Sequence, residues 1–288
     1  MKNLEKSEEE KITIERATVL QRDSSEWLEL RRQLLTASNF GKIIKKRDST
    51  NASIVKALLY KRDLSHVSSI KHGVENENTA LNQLSVQLNV DIQSCGLFID
   101  PNIPYLGATP DGLIGEDKVV EVKCPISVFH SKSVKEAVQM KKLPFYKLSQ
   151  DKLIVNKNHD WFFQVQGQLH ITRRKYCVFG IWVGENKPLQ VEIIERDTEF
   201  FETKMLPKLN AFYFEHILPE LIDPRHTRNL PLRGSSIPKK RKGNPSATTS
   251  IAKKIKETDG TSETALCDSR IASDHTPTAE TCIDFEDF

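Results

Sequence analysis

The stretch Gly107–Pro125 reads GATPDGLIGEDKVVEVKCP, and its interpretation decides the fold. Asp111 follows a Thr-Pro step and precedes a turn rich in glycine and charge. The β-branched run Val119–Val122 carries Glu121, with Lys123 just beyond. Strand side chains alternate faces, so Glu121 and Lys123 point one way while Val120 and Val122 point the other. Two charges on one strand face, backed by an apolar face, make sense if the charged face lines a metal site. A hairpin would bring Asp111 and Glu121 within reach of one cation. Hard oxygen ligands of this kind suit Mg²⁺ or Mn²⁺, which keep several waters and also take a substrate phosphate. A lysine two residues on can orient or help deprotonate an attacking water and counter transition-state charge. That is a kit for phosphodiester hydrolysis. Glu-x-Lys alone is a weak signal, since it recurs at Glu9/Lys11, Glu116/Lys118, Glu185/Lys187 and Glu202/Lys204. A surface hairpin with solvated Glu and Lys is the competing reading. Glu121 stands apart because its strand is β-branched and an Asp lies ten residues upstream.

A length of 288 residues allows one or two domains, and the 38% hydrophobic share suits a globular core diluted by polar ends. A formal net charge of +3 argues neither for nor against a polyanionic partner. Cys95, Cys124, Cys177, Cys267 and Cys282 show no zinc-type spacing and fit a reducing compartment. The N-terminus, MKNLEKSEEEKITIER, has no apolar run of the secretory kind. No stretch approaches the roughly 18–20 apolar residues that span a bilayer. A soluble, intracellular protein without a membrane partner is expected.

Residues 1–22 are charged and poorly patterned and are expected to form a flexible, frayed or partly helical arm. Asp23–Glu26 offers N-caps for a helix holding Trp27, Leu28, Leu30 and Leu34, and Thr36-Ala37-Ser38 would cap a second with Phe40, Ile43 and Ile44. Arg31 on the first and Ser38 at the start of the second could form a phosphate site, or only a capped helix beside a solvated Arg. Residues 45–68 are basic and interrupted. Ile70–Leu88 has helical periodicity, with Glu75 and Glu77 where negative charge favours the dipole. A strand pair, Val90–Ser94 and Gly96–Ile99, and the run Tyr105–Ala108 lead into the hairpin. Residues 126–153 read as a loop or short helices over the site. Trp161–Ile171 fits a helix or a strand, because Gln164, Gln166 and Gln168 lie two apart. Tyr176–Val183 and Leu189–Ile194 read as strands, and Glu199–Leu221 as a long amphipathic helix. The order gives a mixed α/β or α+β domain over about 23–228. Residues 229–288, rich in Ser, Thr, Pro and charge, read as a disordered tail, basic and then acidic. Its cluster Lys239, Lys240, Arg241 and Lys242 is of the nuclear-localisation type, which implies an import receptor and a nuclear setting.

TPDGL followed ten residues on by EVKCP resembles the restriction-endonuclease-like PD-(D/E)xK nuclease core. More narrowly, the chain resembles the phage lambda exonuclease and YqaJ-type viral recombinase family. WLELRRQLLTAS, GVENENTA (Gly73–Ala80) and FQVQGQLHIT resemble further blocks of that family, in the same order, across about residues 25–220. The resemblance implies a mixed central sheet flanked by helices and a Mg²⁺- or Mn²⁺-dependent exonuclease working 5′→3′ from double-stranded DNA ends. Asp111, Glu121, Glu77 and the Val122 carbonyl would hold metal, and Lys123 would be the catalytic lysine. Gln164 and Gln166 would stand beside the active site, and Arg31 and Ser38 would hold a DNA phosphate. The same match implies that Trp161–Ile171 is a helix. The phage relative suggests a homotrimer. A catalytically silent nucleic-acid-binding recombination mediator, and an endonuclease or RNA nuclease with the same core, are the alternatives.

Overall fold

The computed structural model describes residues 5–47, 51–60 and 66–234. The predicted tail beyond that point, with Lys239, Lys240, Arg241 and Lys242, lies outside the described residues. Helix α1 (Glu8–Ala17) starts at a capping box, in which the Ser7 hydroxyl accepts from the Glu10 amide and the Glu10 carboxylate from the Ser7 amide. The Glu15 carboxylate accepts from the Gly96 amide at 2.9 Å, and the Thr18 hydroxyl from the Leu97 amide at 2.8 Å. The segment expected to be a flexible, frayed or partly helical arm is helical over Glu8–Ala17, and that helix is docked rather than frayed. Its docking face is largely polar, with Glu15 and Thr18 buried beside Ile14, so hydrophobic patterning did not reveal it.

Helix α2 (Ser25–Gln33) is capped by Ser24, and β1 (Leu35–Thr36) leads to α3 (Phe40–Ile44). A further helix, α4 (Asn51–Leu59), occupies part of the span read as interrupted. Helix α5 (Ser68–Leu88) closes on Asn89 in the left-handed conformation. The predicted strand pair at 90–99 reduces to one bridge, Gln93 to Leu113, and the two-residue β2 (Phe98–Ile99). The amides of Gly96 and Leu97 are taken by α1 side chains instead of a neighbouring strand. Strand β3 (Leu106–Ala108) pairs with both β1 and β2.

The main sheet is built from the hairpin β4 (Gly112–Ile114) and β5 (Lys118–Lys123), then β8 (Tyr176–Ile181) and β9 (Gln190–Glu195), in the order β4-β5-β8-β9. The β5–β8 pair is parallel and the others antiparallel, so the chain must cross over between β5 and β8. Helix α6 (Val134–Gln139), a hairpin of β6 (Tyr146–Ser149) and β7 (Lys152–Val155), and helix α7 (Asp160–Thr172) make that crossover. The span 126–153 was expected to lack strands. Its hairpin turns at Gln150-Asp151, both at positive φ, without the glycine that marks such turns.

Helix α7 is buried from Phe162 through Ile171. One core, with Val119, Phe179, Val165 and Leu169, lies on the sheet side. The other joins Phe163 and Ile171 to Phe40, Phe201 and Phe212. A Cβ on Gly167 would lie 2.5 Å from a ring carbon of Phe40, so glycine lets α3 close on α7. In the helical stretch 198–222, two π turns, Phe201–Met205 and Tyr213–Ile217, each stand just ahead of a Leu-Pro step. The wider turn absorbs the amide each proline lacks.

A Cβ on Gly96 would meet the Glu15 carbonyl oxygen at 2.0 Å and the Thr18 hydroxyl at 2.5 Å. Gly96→Ala is expected to cost about 2 kcal/mol through overpacking and to lower the thermal midpoint by about 4–8 °C. Hydrogen exchange should rise in α1 first; an unchanged midpoint and α1 protection would contradict this docking.

Candidate active site

Asp111 stands one residue before β4 and is tied to β5 twice. Its amide donates to the Val120 carbonyl at 3.0 Å, and its carboxylate accepts from the Val122 amide at 2.8 Å. The hairpin register pairs Gly112 with Val120, which sets Asp111 beside Glu121 as the spacing predicted. Glu121 is only 1% exposed. Its two oxygens accept one bond each from Gln164 and Gln168, both at 2.6 Å, and the Lys123 ammonium pairs with the same carboxylate.

Gln166 does not join them. It is turned to the far side of α7, where it donates to the Glu195 carbonyl and accepts from the Asp197 amide, both at 2.8 Å. On a helix, residues four apart share a face and residues two apart do not. That rule, applied to the helical reading, selects Gln168, which the family likeness alone did not single out.

Glu77 reaches the site from α5 and pairs at 3.1 Å with Arg22, a residue the sequence did not single out. Its neighbour Gln21, at φ 46°, donates to the carbonyls of Cys95 and Pro110 at 3.0 and 3.2 Å, bracing the chain just before Asp111. Both lie in the supposed arm, where nothing in the local pattern marks them.

The charges are crowded. Burial and then the charge of Glu121 raise the Asp111 carboxyl well above the usual range, with Glu77 adding to the effect. Burial also raises Glu77, against the pull of the Arg22 charge. Burial opposes the Lys123 charge, but Glu121 and Asp111 outweigh it and hold the ammonium above its ordinary pKa. Glu77 and Lys123 border a cleft of about 550 Å³ at the end of β5, whose walls also include Ile70, Gly73, Pro125 and Trp161, with Asp111 and Glu121 next to them.

Arg31 and Ser38 are brought together, with a guanidinium nitrogen 3.4 Å from the hydroxyl. The guanidinium lies 4.1 Å over the Trp27 ring, and the Trp27 indole donates to the Thr109 hydroxyl at 3.0 Å. Burial lowers the Arg31 pKa to about 10. The expected phosphate site is thus connected through Trp27 to Thr109, two residues from Asp111.

A cluster of carboxylates and a lysine thus stands at one end of a helix-flanked sheet, with the Arg31–Ser38 pair near it. The model of the YqaJ-like viral recombinase domain matches residues 26–175, and the chain belongs to that family. Among solved structures, it is similar to an alkaline exonuclease, LHK-Exo, from Laribacter hongkongensis. The two share 21% identity over 72% of this chain and 98% of that one, with a TM-score of 0.53. The same exonuclease in complex with dAMP gives 22% identity over the same shares and a TM-score of 0.54. A phage-related exonuclease from Haemophilus somnus 129PT is 15% identical over 65% of this chain and 96% of that chain, with a TM-score of 0.48. No curated protein matches the chain. The mixed α/β fold is thus that of an alkaline exonuclease.

The donor set suits a hard divalent cation, because three carboxylates crowd together and the charge of Glu121 helps raise both Asp111 and Glu77. As placed, no three His, Cys, Asp or Glu side chains among the described residues stand close enough to form a ready cage. Lys123 and the two glutamines occupy Glu121, and Arg22 occupies Glu77. The set fits in chemistry, with these side chains as the present counter-groups. Asp111→Asn removes one crowded charge and is expected to raise stability in chelator by about 0.5–2 kcal/mol, read as a higher urea midpoint. A lower midpoint would show that the carboxylate's bond to Val122 outweighs the repulsion.

Proposed function

We propose that the chain is a divalent-metal-dependent DNA exonuclease that hydrolyses phosphodiester bonds from duplex ends in the 5′→3′ direction. The observation that carries it is the convergence of Asp111, Glu121 and Lys123 in one charge cluster, in a chain of the YqaJ-like family. The fold shared with an alkaline exonuclease, solved also in complex with dAMP, supports the reading. Direction and the requirement for an end rest on the family likeness alone.

Asp111, Glu121, Glu77 and the Val122 carbonyl would hold Mg²⁺ or Mn²⁺. When bound, such a cation supplies Lewis acidity and counter-charge at the scissile phosphate. The chain does the rest. Arg31 and Ser38 hold a neighbouring phosphate in register, through bonds a guanidinium and a hydroxyl are suited to make. Lys123 keeps its proton at Nζ, orients the attacking water and offsets charge that grows on the phosphoryl oxygens. Gln164 and Gln168 fix the Glu121 carboxylate, so that it meets the cation without searching rotamers. The family's phage member further suggests a trimer, and Lys239–Lys242 suggest nuclear import.

Two measurements test this. With Mg²⁺, the protein should degrade end-labelled linear duplex and leave covalently closed circles intact, and chelator should stop it. Asp111→Ala and Lys123→Ala should each lower kcat by about 10²–10³-fold. Gln168→Leu should cost about 10–100-fold, while Gln166→Leu, on the opposite face, should leave kcat unchanged. Digestion of circles would make it an endonuclease, digestion of RNA alone an RNA nuclease, and no metal-dependent digestion a binding protein. A reporter fused to residues 230–288 should accumulate in nuclei and lose that distribution when Lys239–Lys242 become Ala; an unchanged distribution would remove the import assignment.

A further inference from the structure

A second concave surface begins where the catalytic cleft ends. Trp161, in the first turn of α7, lines the cleft, while Lys157 and Asn158, just before that helix, line a separate open groove of about 840 Å³. Four lysines border the groove: Lys45 from the end of α3, Lys157, and Lys204 and Lys208 from the C-terminal helical stretch. All four are exposed, and no residue lining the groove is acidic. Asp160 alongside is paired with Lys45 at 2.8 Å. Phe200, half-buried and stacked at 5.9 Å on the buried ring of Phe163, presents the groove's aromatic surface. The charges of Lys45 and of Lys123 both act on His159, which burial holds below its ordinary pKa. Because Lys157 and Asn158 line the groove and Trp161, a few residues on, lines the cleft, groove and cleft adjoin across one turn of chain.

Lysines spread along an open groove, instead of converging on one point, match a ligand whose negative charge repeats along its length. A chain of phosphodiesters has that property, and aromatic surface beside it offers contact to bases or sugars. We propose that this groove is a second nucleic-acid-binding site, holding the substrate's phosphodiester backbone beyond the scissile nucleotide. The proposal rests on the nuclease reading and extends it.

The test uses full-length Lys157→Gln/Lys204→Gln, both exposed positions. Binding to a labelled duplex long enough to reach the groove is measured in chelator over a range of salt. The control is Lys118→Gln/Lys175→Gln, the same charge change at the opposite end of β5. The groove variant should bind about tenfold more weakly, and its salt slope should fall by about 0.9 for each phosphate it no longer neutralises. Its kcat on an oligonucleotide too short to reach the groove should stay at the wild-type value. A groove variant whose affinity and slope equal the control's overturns the proposal, as does a wild-type protein that binds no duplex. Hydrolysis is scored separately: a reduced slope without metal-dependent cleavage leaves the groove standing and sinks the nuclease reading.

Discussion

Glu121 lies on a central strand with 1% of its surface exposed, and a carboxylate at that depth must be matched donor for donor. Taking such an ion out of water costs several kcal/mol. The protein meets that cost with two glutamine amides and one ammonium. The choice of amides matters. An amide satisfies an oxygen's hydrogen-bonding capacity without cancelling its charge, as an arginine in its place would. Lys123 is then the cation that neutralises Glu121 in a site that also holds Asp111 and faces Glu77, and the surplus negative charge is what a divalent cation would answer. The same constraint sets the register of α7. Gln164 and Gln168 must face the sheet, so Gln166 is turned toward Glu195 and Asp197, where it ties the helix to the end of β9.

A crossover helix under that constraint has almost no solvent-facing side. It lies between two cores, one on the sheet and one against α3 and the C-terminal helical stretch, and Gly167 lets α3 approach closely. The N-terminal residues are bound into the same system from the other side. Family likeness begins at residue 26, yet Gln21 braces the carbonyl preceding Asp111 and Arg22 pairs with Glu77. Residues outside the matched region therefore complete the neighbourhood of the acidic cluster, and α1, pinned by Glu15 and Thr18, keeps them there.

What the sequence made legible follows from how local each signal is. Asp111, Glu121 and Lys123 could be read because strand alternation and a short hairpin decide their facing within a dozen residues. The identity of α7 could not be read from its residues. A helix buried all round has no polar stripe, and glutamines at 164, 166 and 168 imitate a strand's period of two. Family likeness settles the helix, but it points to the pair 164 and 166 where helical geometry selects 164 and 168. The β6–β7 hairpin escapes sequence patterning because Gln150 and Asp151 adopt positive φ without glycine. Helix α1 escapes it for a different reason. Its capping box, Ser7 to Glu10, is present in the sequence, but a docking face made of Glu15 and Thr18 carries no hydrophobic period. The strand pair expected at 90–99 fails because α1 supplies the hydrogen-bond acceptors that a neighbouring strand would have offered.

A modest net charge of +3 conceals a strong partition of charge across the folded part. Asp111, Glu121 and Glu77 stand together where the hairpin meets α5, held by the Val122 amide, by Gln164, Gln168 and Lys123, and by Arg22. Cations without acidic neighbours in the lining surround the groove beyond α7. A polyanion brought toward an acidic cleft alone would be repelled, since like charges at a few ångströms oppose each other by about 1 kcal/mol even in water. Such a cleft can act on phosphodiesters only if a cation enters it and if its flanks attract the rest of the strand. In the proposed reading, Arg31 with Ser38 would supply one flank and the lysine groove the other. The buried Glu121 and the exposed lysines are therefore two halves of one electrostatic arrangement: the first concentrates negative charge where bonds would be broken, and the second makes approach to that charge favourable for a nucleic acid.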